Sequence, residues 1–267
     1  MKKSLLYLFT FAAVQFFASW ALYSVWLLVK GYSPEEVLMM FAGKAALPKD
    51  ATMMILASAI YSAATLGIFL WRRWSVVSPA YLRSRPWGVF FWTVTAAVGT
   101  IIPSVWLQEQ LPPLPDTMKD TFAMLMGNDL GYFTICIFAP IVEETVFRGA
   151  ILRTLLGTFR QHWYAIAVSA LIFAAIHLNA AQMPHAFLIG LLLGWTYYRT
   201  GSILPGILFH WVNNTAAFAV ARIFPESDDM WLIDLLGGDH RRVVLSLIFS
   251  LFILLPSLYQ LNLRMKR

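Results

Sequence analysis

The chain has 267 residues, of which 59% are hydrophobic and only 13% charged, against about 25% charged in an ordinary soluble domain. With a mean hydropathy of +0.66, 11 Trp and 20 Phe, this composition excludes a disordered protein, a nucleic-acid-binding domain and a typical cytosolic enzyme. The expectation is an all-α, polytopic transmembrane helical bundle. The net charge of +6 does not signal an acidic partner, because the basic residues are scattered along loops rather than clustered on one face. The single Cys136 excludes an intrachain disulfide and any CxxC site.

A bilayer core of about 30 Å needs about 20 apolar helical residues. Stretches free of Asp, Glu, Lys and Arg cover 4–29, 51–71, 86–108, 130–142, 161–198, 200–221 and 243–263. The run 161–198 is too long for one span. It divides at the polar, Pro-containing stretch from Asn179 to Pro184 into helices over roughly 162–178 and 184–198. The run 130–142 leads into Glu143-Glu144, and the apolar pattern resumes over 145–157, which predicts one helix over about 130–157 with charges in its interior. The total is about eight spans in a single membrane domain, 1–267. Lys2-Lys3 and the first run read as a retained anchor rather than a cleaved leader. The loop with Pro112, Pro113 and Pro115 reads as a stiff connector. Alternating the spans from a cytoplasmic N-terminus puts thirteen Lys and Arg inside and seven outside. The positive-inside rule therefore predicts that both termini are cytoplasmic. Of the fourteen acidic residues, all but Glu143 and Glu144 fall outside.

Three polar features interrupt the apolar background. The first is Glu143-Glu144-Thr145-Val146-Phe147-Arg148. Each charge at a helix centre costs about 2.5–3.5 kcal/mol, so three left unpaired would cost roughly 8–10 kcal/mol. Glu144 and Arg148 are i and i+4, with the Glu first, and read as a structural ion pair. Glu143 lies about 100° away around the helix, has no local cation, and is expected to face a wet cavity. Pro140 loosens the helix beside it. The second feature is Phe173-Ala174-Ala175-Ile176-His177. The third is His210-Trp211-Val212-Asn213-Asn214, in which His210 and Asn214 share a helix face. Either histidine alone would ordinarily be a packing or capping residue. Two imidazoles, an amide and a carboxylate can instead satisfy one another around a water. Gly190 and Gly194 form a GxxxG, read as helix packing. His185, His162 and His240 receive no role.

These residues resemble, in order, the three signature motifs of the CAAX protease and bacteriocin-processing family, the Abi-type intramembrane glutamic endopeptidases: Glu143-Glu144-x-x-x-Arg148, Phe173-x-x-x-His177 and His210-x-x-x-Asn214. The stretch from Tyr198 to Pro205 is also similar to the family's approach to its third motif. The resemblance covers about 130–220, the expected catalytic core. It implies a hydrolase needing no metal or other cofactor, in which Glu143, helped by His177, activates water. His210 and Asn214 would form an oxyanion hole, with Glu144 and Arg148 in support. The chemistry is coherent by itself. Water attacks an amide only with a base in reach, and donors aimed at a developing oxyanion are worth about 3–4 kcal/mol each.

Depth is only partly consistent. His177 is 17 residues from Arg160, about 25 Å from the inner end and nearer the outer face than Glu143 or His210. Either tilt absorbs the difference or a helix end is misplaced. The expected partners are the lipid bilayer and a membrane-associated peptide or protein substrate, with no nucleic acid, in a bacterial cell membrane. Two alternatives stand beside the endopeptidase. One is a zinc-dependent protease using Glu143, His177 and His210 as ligands, although a helical HExxH is absent. The other is a non-catalytic membrane binding or immunity protein.

Overall fold

The computed structural model describes residues 2–76, 79–224 and 230–265. Lys266 and Arg267, counted above as inner charges, and Glu226, Asp228 and Asp229, counted as outer ones, lie outside the described residues. The described chain is all helical, with no strand. Its long helices are α1 (Lys2–Val29), α3 (Ala51–Trp71), α5 (Trp87–Glu109), α9 (His162–Ala175), α10 (Met183–Thr200), α11 (Leu204–Ile223) and α13 (His240–Arg264). Between α5 and α9 runs a composite helix: a π-helical segment Phe133–Phe138, α7 (Ala139–Glu143), a second π-helical segment Glu144–Leu152, and α8 (Arg153–Leu156). Short helices fill the connections: α2 (Pro34–Phe41), α4 (Pro79–Arg83), α6 (Lys119–Met126) and α12 (Leu232–Leu235).

Each charge-free run thus contains a helical segment. Four of them, α1, α3, α5 and α13, are long and apolar enough to cross a membrane. Large apolar side chains stand exposed along α1 and α13, among them Phe9, Phe16, Phe17, Phe249, Phe252 and Leu255. Such a surface suits acyl chains and not water. The protein is a multi-pass membrane protein.

Three boundaries differ from expectation, each for a local reason. The fourth run is not a uniform α-helix, because Pro140 has no N–H. The Ala139 N–H bonds the carbonyl of Thr134, five residues back, which is π spacing. The next bond in that register would join residue 140 to Ile135, and proline cannot donate it. The fifth helix stops at Ala175 rather than 178. His177 lies in the turn beyond it, and Leu178 takes a left-handed φ of 51°, which disfavours helix continuation in an L-residue. The helix end is thus placed three residues earlier than the sequence predicts. The sixth helix is longer than predicted, 18 residues, or about 27 Å. It closes on Gly201 at a φ of 64°, the conformation glycine adopts freely. α2 starts from a capping box, with Ser33 accepting from the Glu36 N–H and Glu36 from the Ser33 N–H. The Ser33 N–H holds the exposed Glu36 carboxyl below its ordinary range.

The composite helix is the axis of the fold. Buried side chains from its second π segment, Val146, Phe147, Ala150, Ile151 and Leu152, join Tyr7 and Phe11 of α1, Phe69 of α3, and Ala165, Ile166 and Phe173 of α9 in one core. A second core packs α5, α10, α11 and α13 through Ala96, Ala97, Ile189, Leu193, Phe209 and Leu261. α9 and α10 cross closely at the GxxxG. A Cβ on Gly190 would meet the Ala170 Cβ at 3.0 Å, and one on Gly194 the Ile166 Cγ2 at 2.8 Å. Overpacking of this kind typically costs about 1–3 kcal/mol. Gly194→Leu is therefore expected to lower the thermal unfolding midpoint of the purified protein by several degrees or to abolish accumulation. An unchanged midpoint would show that α9 and α10 do not depend on this close approach.

Candidate active site

Glu144 and Arg148 form the predicted ion pair, at 2.7 Å between Glu144 Oε1 and Arg148 Nη1. Both side chains are sealed from solvent. Arg148 Nη2 also donates to the Gly190 carbonyl at 3.3 Å, and its guanidinium lies 4.3 Å from the Phe173 ring centroid, a cation–π distance. The other carboxylate oxygen, Glu144 Oε2, is packed against the first turn of α11. A Cβ on Gly206 would lie 2.6 Å from it, so glycine is what admits the carboxylate there. The pair ties the composite helix to α9, α10 and α11 at once.

His210 of α11 is set between the two adjacent carboxylates. Its Nε2 is 3.8 Å from Glu143 Oε2, and its Nδ1 is 3.5 Å from Glu144 Oε1. Both are electrostatic contacts longer than ordinary hydrogen bonds. The two glutamates differ sharply in access. The Glu143 side chain is 22% exposed, whereas that of Glu144 is 0% exposed. Glu143 Oε2, Glu144 Oε2, Arg148 Nε and His210 Nδ1 are all buried without a hydrogen-bond partner. Unsatisfied buried polar atoms are rare in native proteins. Four of them at one place make this the most polar point of the helical interior.

Phe173 organises the imidazoles. Its ring meets both His177 and His210 edge-on, at centroid distances of 5.0 and 6.0 Å. Its carbonyl is 2.7 Å from His177 Nδ1. A carbonyl only accepts, so Nδ1 carries the hydrogen and His177 Nε2 presents a lone pair when the ring is neutral. Asn214 points elsewhere. Its Nδ2 donates to the Ile135 carbonyl at 2.9 Å, the acceptor that Pro140 leaves without a backbone donor. One of its two amide hydrogens is thereby occupied and the other is left over. A Tyr132 cluster closes the same seam, with Trp211 Nε1 donating to the Tyr132 hydroxyl at 3.0 Å and Thr215 Oγ1 at 3.2 Å from it.

The structure thus joins Glu143, Glu144, Arg148 and His210 by direct contact, brings His177 in through Phe173, and holds Asn214 on the adjoining backbone. His185, assigned no role above, stands in the first turn of α10, within electrostatic range of His177 and His210. Its Nε2 lies 3.4 Å from Asn213 Nδ2. Only its sequence position after Pro184 was visible beforehand, and nothing in local spacing linked it to α11. Among the described residues, no three His, Cys, Asp or Glu side chains converge closely enough to hold a metal ion.

Comparison with known proteins agrees with the geometry. Residues 128–216 match the Rce1-like family, described as type II CAAX prenyl endopeptidase Rce1-like. An Escherichia coli protein described as an uncharacterized 24.3 kDa protein is 32% identical over 158 residues, covering 54% of this chain and 70% of the relative. No solved structure matches. The matched region begins just before the composite helix and ends in α11 beyond Asn214, so it contains every residue just described; the chain belongs to the Rce1-like CAAX protease family of membrane proteins.

Proposed function

We propose that this membrane protease is an intramembrane glutamic endopeptidase that hydrolyses a peptide bond of a membrane-associated peptide or protein, with Glu143 as the general base. The observation that carries the reading is the unequal access of the paired glutamates. Glu144 is enclosed and neutralised by Arg148, while the Glu143 side chain keeps 22% of its surface exposed and, among the described residues, pairs with no Lys or Arg. An intramembrane carboxylate of that kind is a functional group by default.

In the proposed reaction a water placed between Glu143 and His177 Nε2 attacks the scissile carbonyl carbon as its proton passes to Glu143. The carbonyl oxygen takes the negative charge. The His210 ring and the free amide hydrogen of Asn214 offer donors for it. Collapse re-forms the carbonyl and breaks the C–N bond. The proton held by Glu143 moves to the leaving amine, and the base is regenerated. His210 has a second duty, since its other nitrogen faces Glu144 and so registers α11 against the composite helix. We place the protein in a bacterial cell membrane, on its compact chain with short loops, and its N-terminus in the cytoplasm, on the charge asymmetry of those loops.

The test is a proteomic comparison of peptide termini in cells expressing wild-type protein or Glu143→Gln at equal levels. Termini that depend on wild-type protein are expected to vanish in Glu143→Gln, while membrane insertion and the unfolding midpoint stay unchanged. Identical sets of termini would sink the catalytic assignment and favour a binding role. Arg148→Ala should behave differently. Breaking one side of a buried pair costs about 3–5 kcal/mol, so both cleavage and folded protein are expected to fall. Gly206→Ala should push the Glu144 carboxylate off its seat. The expected result is cleavage reduced by about tenfold or more, as when remote misplacement disturbs a catalytic group, with smaller loss of folded protein than in Arg148→Ala. Wild-type cleavage in Gly206→Ala would show that the Glu144 position does not control the site.

A further inference from the structure

The turn that presents His177 has little regular structure of its own. α9 ends at Ala175 and α10 begins at Met183. Between them Leu178 carries a left-handed φ of 51° and is 80% exposed, so neither backbone preference nor packing of that side chain holds the turn. Asn179, the next residue, is fully buried. Its Oδ1 accepts from the Thr117 N–H at 3.2 Å, and its Nδ2 donates to Asp116 Oδ1 at 2.9 Å. Its carbonyl accepts from the N–H groups of Gln182 and Met183 at 3.0 and 3.2 Å, at the start of α10. Ala181 is gripped from both sides. Its N–H donates to the Pro115 carbonyl at 3.2 Å, and its carbonyl accepts from the Gln108 amide at the end of α5.

Every partner on the far side belongs to one segment, from Gln108 to Thr117, which contains Pro112, Pro113 and Pro115. Proline fixes φ, so this segment is stiff. We infer that the proline-rich connection between α5 and α6 is a clamp that sets the position of His177, and that Asn179 is the positioning residue through which it acts. The inference rests on the proposed role of His177 in catalysis. It assigns a task to a loop outside the three motifs. Asn179 touches neither substrate nor reacting atoms. It holds a turn whose backbone would otherwise relax, two residues from a ring that must keep its Nε2 aimed at the site. Misplacing a catalytic group by about 1 Å can cost on the order of a hundredfold.

The two hydrogen bonds of Asn179 allow a reciprocal exchange as the test. Asn179→Asp keeps the acceptor for Thr117 N–H but sets a second carboxylate against Asp116. Adding Asp116→Asn restores a donor, so the double variant can re-form both bonds of residue 179 with the chemistry swapped, giving up only the exposed Met118 N–H bond to Asp116 Oδ1. Full-length protein would be read in two ways: by the yield of Glu143-dependent termini in cells, and by the His177 ring signals of histidine-labelled protein in lipid nanodiscs. Asn179→Asp is expected to lower cleavage by about tenfold to a hundredfold and to shift the His177 signals. The double variant is expected to return both to near wild type. A merely structural role for Asn179 would lower the amount of folded protein without moving the His177 signals of the folded fraction, and that result would overturn the inference. Wild-type cleavage in Asn179→Asp would overturn it too, as would failure of the folded double variant to recover. If no Glu143-dependent termini exist, the endopeptidase reading fails, while the His177 signals still decide whether the clamp is real.

Discussion

The buried Glu144–Arg148 pair is the constraint around which the rest is arranged. Two full charges in a low-dielectric interior are tolerable only if each is neutralised and its remaining polar atoms are met. The fold meets most of that demand by convergence, leaving Glu144 Oε2 and Arg148 Nε without a hydrogen-bond partner. α10 lends the Gly190 carbonyl, α9 lends the Phe173 ring, and α11 lends the gap beside Gly206 and an imidazole nitrogen. The pair therefore specifies which helices come together and in what register. Once α11 is registered by Glu144, the opposite nitrogen of His210 is necessarily brought to the neighbouring carboxylate. Adjacent glutamates differ by about 100° around a helix, enough for one to be sealed and the other to stay partly exposed. In the proposed mechanism the doubled acid is thus one anchor and one reagent, both in contact with the same ring.

Pro140 supplies the second constraint. By withholding a donor within a π-helical register, it leaves the Ile135 carbonyl open, and Asn214 fills that place. The bond lies one helical turn from His210 along α11. So α11 is fastened to the composite helix at two successive turns, once through each polar residue of its motif. Such irregular helical segments recur at functional sites. Here the irregularity has a specific consequence: it turns a backbone vacancy into a docking point for the Asn214 side chain. Asn214 can still donate its second amide hydrogen, so attachment and oxyanion stabilisation are compatible in one residue.

Much of this was legible in the sequence because lipid makes local rules strict. The charge-free runs marked the long helices, since a charge within an apolar span is costly. The i, i+4 spacing of Glu144 and Arg148 foretold their pair, and the GxxxG foretold the crossing of α9 and α10. What the sequence could not convey depended on partners distant in the chain. The end of α9 before His177 follows from a turn anchored some sixty residues away, and apolar periodicity has no term for that. The π register needs knowledge of which carbonyl another helix will satisfy. The seating of His210 between both carboxylates requires the relative rotation of two helices. The capping box at Ser33 and Glu36 is by contrast a purely local signal, a Ser followed three residues later by a Glu.

The division between what was and was not legible also separates two kinds of position in the site. Glu143, Glu144 and His210 lie within helices packed into the cores, where their geometry is set by burial and charge pairing. His177 lies outside any helix, in the turn between α9 and α10. Its ring is directed by one backbone acceptor, the Phe173 carbonyl, and its backbone by contacts across the α5–α6 connection. In the proposed mechanism the base and a donor are therefore built into packed helices, while the water-orienting lone pair is carried on a turn that depends on hydrogen bonds from residues some sixty positions away.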